Sequence, residues 1–439
     1  MGACRANREN LVAITHQQDV LATGLDGVNA GGIEACERRN VVFSLRHHTP
    51  PSGRHGTRRI ARAFVRRMKT QDASVLVGER QDRLLAGMAA LVTPMQSRAL
   101  AHDRDASFPA EDIAALRALG ALAAPVPVAL GGLGMGTEPA GALAIMSALR
   151  LLGRGNLSVG RLYEAHVNAI KLVARYGSDA QTRAVADDAL AGHLFGLWVT
   201  DAPNTDLRVE GDLLMGAKAP CSGAGYATRA LVTADCAGGT VLLVVSLKPG
   251  ERADLTGWDL HGMRASATGR MTLDGIPAGE PVGQPGDYLR QPEFSAGAWR
   301  GSAVALGGLE ALVGALRDGL AARQREGNPH QLARVGQALI EQETARLWVR
   351  RAALLAEGIG ADDLDVANTV NLARIAVEMA CLSAIQIVQR ALGLVAFRRG
   401  SLTELLFRDL GFYLRQPAPD ETLTEAAAHF MRHDLPDLT

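Results

Sequence analysis

The chain has 439 residues, 47% of them hydrophobic, and its 46 basic and 46 acidic residues leave a formal net charge of zero. That length supports a large core in two or three domains, and the neutral balance gives no argument for a nucleic-acid partner. The five cysteines are scattered without a CxxC pair, so we expect no metal site, no disulfide framework and a reducing, cytoplasmic environment.

The first 72 residues differ from the rest of the chain. They mix Gly, His, Pro and Asn without lasting periodicity and end in a basic stretch over residues 54–67. A nucleic-acid arm and a targeting helix are alternatives, but the composition favours a poorly ordered extension. The N-terminus lacks the charged-then-apolar plan of a secretory signal. No apolar run approaches the roughly 20 residues of a membrane helix, so no membrane span is expected.

A helical N-terminal domain is predicted over residues 73–194. Pro109 lies near a helix start, with Glu111 and Asp112 in the first turn, where the helix dipole favours acidic groups. Gly120 is suited to end that helix. The segment GGLGMG at residues 131–136 lacks the spacing of a phosphate loop, and no strand–loop–helix unit surrounds it, so we interpret it as a structural turn.

A small central β-domain is predicted over residues 195–290, where the chain becomes rich in Gly, Val and Thr. Its short β-type runs are bounded by Gly, Pro and Asp, and their spacing suits a small antiparallel barrel or sandwich. The runs are LWV (197–199), ALVTA (230–234), VLLVV (241–245) and RMTLDGIPA (270–278). Three loop segments stand out: the first loop (Phe195–Asp206), the second loop (Gly216–Gly225) and the third loop (His261–Gly269).

Helices return over residues 291–439. Leucines at 309, 312, 316 and 320 form one apolar stripe, and residues 337–355 form another. Such stripes are typical of a bundle core or an oligomer seam, so a C-terminal four-helix bundle is predicted. The fold class is therefore mainly α with a central small β-domain, and the meeting of three layers is a common place for a planar cofactor.

Five segments in this order resemble the acyl-CoA dehydrogenase superfamily over about residues 75–430. Asp103–Gly134 looks like its opening helices and glycine loop, and His166–Gln181 looks like the helix pair before its β-domain. GLWVTDAPNTD (196–206) looks like its flavin loop, and Gly262–Ala278 looks like its arginine loop with the following strand. Thr403–Leu410 looks like its arginine–aspartate helix. The resemblance implies FAD between the β-domain and the helical bundle, with a neighbouring subunit covering its pyrophosphate.

The resemblance also assigns cofactor-binding positions. Trp198, Thr200 and Thr205 of the first loop would border the flavin, and Ser222 would match the hydroxyl residue of the second loop. Pro220 stands where the family usually places a tryptophan that stacks on the flavin. Alternatively, Trp198 is a core residue, Thr200 hydrogen-bonds the backbone at the end of a strand, and Ser222 only stabilises a glycine-rich turn.

A second set of cofactor positions belongs to the helical bundle. Arg323 matches the arginine that reaches a partner subunit's pyrophosphate, a role that implies a homodimer or homotetramer. Gln389 and Gly393 match a phosphate-side turn in which Leu392 replaces a glycine. Without the resemblance, Arg323 would be interpreted as a solvated helix arginine.

The family's catalytic glutamate has no counterpart at the expected position. That glutamate removes a substrate α-proton, and it would fall at Gln416–Pro417, neither of which can act as a base. Asp420 and Glu421 are the nearest downstream carboxylates and are the candidate catalytic residues. The alternative is that both are acids in the first turn of an ordinary helix.

Three functions remain open from the sequence. The first is an FAD-dependent dehydrogenase acting on an acyl-CoA or an acyl-carrier-protein thioester, with an electron-transfer flavoprotein as partner. The second is a flavin monooxygenase of the same fold, which takes reduced flavin from a flavin reductase and needs no α-proton base. The third is a non-catalytic protein that keeps an acyl or carrier-binding groove.

Overall fold

The computed structural model describes residues 56–358 and 360–437, with side chains from residue 74 onward. The predicted extension at residues 1–72 therefore lies largely outside the described residues. Helix α1 begins at Gly56 rather than near residue 73, and the compact unit that holds the three layers begins at Arg66.

The N-terminal layer is helical, as predicted. Asn156 and Ser178 cap the two helices that precede the β-domain, and Ser178 forms a complete capping box with Gln181. The GGLGMG segment is a turn: a Cβ on Gly132 would lie 1.9 Å from the carbonyl oxygen of Val126, so only glycine fits there. The helices are α1 (Gly56–Asp105), α2 (Ala110–Ala118), α3 (Ala142–Gly155), α4 (Leu157–Tyr176) and α5 (Asp179–Leu190).

The middle layer is a β-domain, but its sheets are not wholly antiparallel as predicted. Its strands are β1 (Phe195–Trp198), β2 (Arg208–Glu210), β3 (Leu213–Met215), β4 (Ala217–Cys221), β5 (Arg229–Cys236), β6 (Gly239–Ser246), β7 (Ala253–Asp254) and β8 (Gly269–Thr272). Strands β1 and β2 run parallel to β5, while β6 runs antiparallel to it. Strands β4, β8 and β7 form a separate antiparallel sheet. Alternating polarity predicts strands but not their direction, which is why the parallel pairs were missed.

The C-terminal layer is helical again. The predicted leucine stripe is the buried face of α7, where Leu309, Leu312 and Leu316 have no exposed surface. The helices are α6 (Glu293–Ala296), α7 (Ala298–Ala321), α8 (Pro329–Glu357), α9 (Asp363–Leu392), α10 (Leu402–Tyr413) and α11 (Pro419–Phe430).

Helix α9 corrects the expectation that no segment is long and apolar enough to span a membrane. Asp363–Phe397 meets that test by length and composition, and it alone does so among the described residues. Its apolar face packs on α7 and α8, with Val370, Val377 and Cys381 fully buried or nearly so. That packing accounts for the buried 44% of its apolar window, while Met379, Leu394 and Val395 are exposed.

Candidate functional site

A buried lysine holds the first loop against the second. The Lys218 side chain is 1% exposed, and its Nζ donates to Asp201 Oδ1 at 2.6 Å and to Thr233 Oγ1 at 2.9 Å. Asp201 also accepts from the backbone N–H of Leu207 at 2.9 Å. An enclosed cation requires such partners, because an unpaired charge would be strongly destabilising. This pair therefore fixes the backbone beside Thr200, whose carbonyl accepts from Ala219 N at 3.2 Å.

The indole of Trp198 is part of the β-domain core. Its ring packs over Gly196, it is 1% exposed, and its Nε1 donates to the backbone carbonyl of Ser222 at 3.0 Å. Trp198 thus ties the first loop to the second from the inside, as the core interpretation predicts. Thr200 and Pro220, by contrast, are exposed.

Ser222 belongs to a chain of hydroxyl groups that joins the second loop to the third. Thr268 Oγ1 lies 3.2 Å from Ser222 Oγ and 2.7 Å from Ser266 Oγ, and Ser266 donates to the carbonyl of Met263 at 2.7 Å. Thr205 lies at the far end of the first loop and accepts from Arg270 Nη2 at 3.3 Å. The loops therefore form one hydrogen-bonded unit in which Ser222 is already partnered.

The third loop is joined to the C-terminal helices by α10. Met263 N donates to Asp409 Oδ1 at 2.7 Å, and Arg408 pairs with both Asp103 and Glu404. Burial raises the pKa of the Asp409 carboxyl to about 7, although its bond from Met263 N acts in the opposite direction. The arginine–aspartate pair is thus a joint between all three layers.

Arg323 and Gly393 meet at the end of α9. Arg323 Nη1 donates to the carbonyl of Leu392 at 2.9 Å, and Gly393 has φ +65°, a conformation that favours glycine. The half-buried Gln389 accepts from Gly393 N through its backbone carbonyl. In the described part of the chain, no hydrogen bond connects this group to the three loops.

A cavity of about 80 Å³ lies where α4, α7, α9 and α10 converge. It is large enough for several water-sized groups. Gln416, at the expected position of the catalytic base, is in its wall. The lining residues are Arg161, Glu164, Ala298, Gly301, Ser302, Ala305, Arg374, Val377, Glu378, Tyr413, Leu414 and Gln416.

The cavity wall has two carboxylates, and each is ion-paired. Glu164 accepts from Arg161 and from Asn168 Nδ2, while Glu378 accepts from Arg415 Nη2 at 2.5 Å. Glu164 raises the pKa of the Arg161 guanidinium, so the arginine remains charged. Neither carboxylate is a free base in this arrangement.

The structure does not bring the two candidate bases to the cavity. Asp420 and Glu421 are exposed in the first turn of α11, and neither lines the wall. Two prolines, Pro417 and Pro419, precede and begin that helix. Acids in a first turn are stabilised by the helix dipole without any catalytic role.

A buried ionic network continues from the cavity into the protein. Arg300 pairs with Glu357 and donates to Asn168 Oδ1 at 2.7 Å. Glu357 also accepts from Lys171 Nζ at 3.1 Å and from Trp299 Nε1 at 3.2 Å. These residues are far apart in the sequence, so no local motif marks them. A signal was nevertheless present, because charges interrupt the otherwise apolar faces of α4 and α7.

The Tyr413 hydroxyl is a neutral donor at the cavity. If residue 301 had a Cβ, that atom would lie 3.3 Å from the Tyr413 hydroxyl, so a glycine at this position leaves room for the hydroxyl. Burial raises the pKa of Tyr413, and the negative charge of Glu164 raises it further. The group therefore remains protonated near neutral pH and can donate to a ligand.

The residues present are compatible with a flavin beside the loops. Thr200 and Pro220 are both exposed, and the Thr200 hydroxyl is the kind of group through which a flavin ring can be bound. The core position of Trp198 leaves no aromatic group of the first two loops exposed to stack on the ring, apart from Tyr226 just beyond the second loop. The loops could hold a flavin edge, but with weaker stacking than the family pattern implies.

The comparisons with known proteins agree with this architecture. Residues 79–193 match the family model "Acyl-CoA dehydrogenase, N-terminal domain". No curated protein matches the chain by sequence. KijD3, solved with FMN and a dTDP-linked 3-amino-4-keto sugar, is 22% identical, with a TM-score of 0.70 over 82% of this chain and 95% of KijD3.

Two further solved structures represent different chemistries on the same fold. Glutaryl-coenzyme A dehydrogenase in its glutaryl-CoA complex is 21% identical, with a TM-score of 0.68 over 80% of this chain and 95% of the enzyme. The methanesulfinate monooxygenase MsuC from Pseudomonas fluorescens is 20% identical, with a TM-score of 0.68 over 81% of this chain and 98% of MsuC. The chain therefore has the fold of the acyl-CoA dehydrogenases, and its residues 79–193 are similar to the N-terminal domain of that family.

Proposed function

We propose that this protein is a flavin-dependent monooxygenase that receives reduced flavin, FMN or FAD, from a separate reductase. One observation carries the proposal: the cavity at the expected position of the catalytic base contains Gln416 and only ion-paired carboxylates. Removal of an α-proton requires a carboxylate that can accept it, whereas oxygen transfer from a reduced flavin does not. The fold similarity to MsuC, a monooxygenase, is compatible with this chemistry but does not by itself favour it over dehydrogenation, because glutaryl-coenzyme A dehydrogenase matches with the same TM-score of 0.68.

The protein's own residues would bind and orient the reactants. Reduced flavin supplies the chemistry, which delivers one atom of O₂ to the substrate and releases the other as water. The loop unit braced by Lys218 and Trp198 would hold the flavin edge near Thr200 and Ser222. Tyr413 and Gln416 would donate hydrogen bonds to the substrate, and the apolar part of the wall, Val377 and Leu414, would contact its apolar atoms.

The first test asks whether the protein binds reduced flavin and alters its reaction with O₂, and it needs no knowledge of the natural substrate. Purified protein is mixed anaerobically with reduced FMN or reduced FAD, and binding is measured by ultrafiltration. The bound flavin is then exposed to O₂ in a stopped-flow instrument. We expect binding in the reduced state and a reoxidation rate different from that of free flavin. Absence of binding of both flavins in both redox states would overturn the proposal.

A second candidate function is α,β-dehydrogenation of an acyl thioester, and one observation favours it. Glu378 lines the cavity, and its partner Arg415 is about half exposed, so a substrate could displace that partner. The probe is anaerobic butyryl-CoA added to protein loaded with oxidised FAD. Bleaching that disappears in Glu378→Gln would establish this function and exclude the monooxygenase proposal. Bleaching lost only in Glu421→Gln would instead support the downstream base.

The oligomeric state is part of the proposal. Arg323 would reach a phosphate of a neighbouring subunit's cofactor by releasing its bond to the Leu392 carbonyl. A homodimer or homotetramer would then be required for tight cofactor binding. Light scattering checks this directly: a monomer with full flavin affinity, or unchanged affinity in Arg323→Gln, would exclude that role.

A further inference from the structure

Among the described residues, Arg374 is the cation of the cavity wall that has no carboxylate partner. Its Nη2 donates to the carbonyl of Pro417 at 2.6 Å, and its Nε is buried without a hydrogen-bond partner. Burial lowers the pKa of this guanidinium, and only the nearby charge of Glu378 opposes that effect. Arg374 lines the cavity, so an acceptor bound there would supply the anionic partner that this guanidinium lacks.

The charges around the cavity leave a positive excess. Arg161, Arg374 and Arg415 carry three positive charges, while Glu164 and Glu378 carry two negative charges. Arg161 and Arg415 are occupied by the two glutamates, so Arg374 carries the excess. The adjoining network adds to it, because Arg300 and Lys171 share the single carboxylate of Glu357.

The neutral groups of the cavity wall would support an anion bound to Arg374. Tyr413 and Gln416 can each donate a hydrogen bond, and Val377 and Leu414 supply apolar contact. Guanidinium groups bind carboxylates through two parallel hydrogen bonds, a geometry that neutral donors then support. Gln416 Nε2 already donates to the Tyr413 carbonyl at 2.8 Å, but a long, purely apolar acyl chain would give no acceptor to the Tyr413 hydroxyl and no counter-charge to Arg374.

We infer that this cavity binds the carboxylate of a small organic-acid substrate through Arg374. The inference deepens the proposed function by naming the substrate class, and it rests on that function only in calling the bound acid a substrate. Glu164 and Glu378 would disfavour a second negative charge close by. A monocarboxylate therefore fits better than a compact dianion such as inorganic phosphate.

The experiment measures binding alone, with flavin-free protein and acetate as the probe. Titration calorimetry is carried out at constant ionic strength, with sodium chloride replaced by sodium acetate. We expect saturable binding that weakens at least tenfold in Arg374→Gln. The matched control is Arg350→Gln, which removes an exposed arginine of α8 and should leave the affinity unchanged. Methylammonium chloride, the cationic probe, should not bind.

A second variant changes the affinity in the opposite direction. Glu378→Gln removes a negative charge from the wall, so acetate should bind several-fold more tightly than to the unmodified protein. The acetate affinity of Glu378→Gln tests the inference even if Arg374→Gln fails to fold, and circular dichroism would show such a failure. No saturable acetate binding, equal binding by Arg374→Gln, or weaker binding by Glu378→Gln would each overturn the inference. Acetate binding without any flavin activity would instead refute the proposed function and leave the carboxylate site standing.

Discussion

The buried Asp409 allows a quantitative test of the joint between the third loop and α10. Its pKa is raised from 3.8 to about 7 because burial disfavours the charged carboxylate. The folded protein therefore holds a proton that the unfolded chain releases at lower pH. Stability from this group is present at acidic pH and is lost as pH rises from about 4 through 7.

The magnitude follows from the two pKa values. Between pH 5 and pH 8, proton linkage predicts a loss of roughly 2.5 kcal/mol in the free energy of unfolding. Asp409→Asn removes the titration and keeps an oxygen that accepts the N–H of Met263. As pH rises from 5 to 8, the free energy of unfolding of the variant should therefore increase by about that amount relative to that of the unmodified protein.

Urea unfolding at the two pH values measures this difference, because the other titrating groups are common to both proteins. The free-energy difference between variant and unmodified protein is compared at pH 5 and pH 8. A change of about 2 kcal/mol or more in favour of the variant supports the reasoning. Parallel pH profiles would refute it, since they would show that Asp409 titrates as an ordinary surface carboxylate.

Three further predictions concern other buried groups. Burial lowers the pKa of His166 to about 4. The free energy of unfolding should therefore fall by about 3 kcal/mol as pH falls from 7 to 4, because the unfolded chain binds a proton that the folded protein does not. His166→Gln should remove that loss in the same urea assay. Glu357→Gln leaves the cations Arg300 and Lys171 without a carboxylate and should lower the free energy of unfolding by about 3–5 kcal/mol. The exposed control Glu343→Gln should lower it by less than about 1 kcal/mol, and thermal unfolding measures both. Lys218→Met leaves Asp201 unpaired and should raise the flavin Kd about tenfold or more in equilibrium dialysis, and an unchanged Kd would show that the ion pair does not support the flavin loops.

Much of the architecture was predictable from local patterns. The order of the layers follows from changes in hydrophobic period, and the leucine stripe of α7 is buried as its spacing predicts. The direction of β1 beside β5 was not predictable, because it depends on the route of the intervening chain rather than on local periodicity. The role of Lys218 was missed for a similar reason: its partner Thr233 lies on a different strand.

The candidate site was less predictable than the fold. The absence of a glutamate at residues 416–417 was visible in the sequence, and it remains the observation on which the function depends. The cavity that surrounds this position was not visible. Arg161 and Arg374 lie on different helices and are more than two hundred positions apart in the chain, and each would be interpreted singly as a solvated arginine.

The buried charges of this site are best explained by ligand binding rather than by stability. Apolar side chains of similar volume would stabilise the meeting of α4, α7 and α9 at least as well as ion pairs do, because charged groups lose their hydration on burial. Glu164 and Glu378 each have an arginine partner, whereas Arg374 has no carboxylate partner among the described residues of the cavity. A cavity that keeps one unsatisfied cation beside Gln416 is arranged for a polar substrate, and this is the property that separates it from a pocket for a fatty acyl chain.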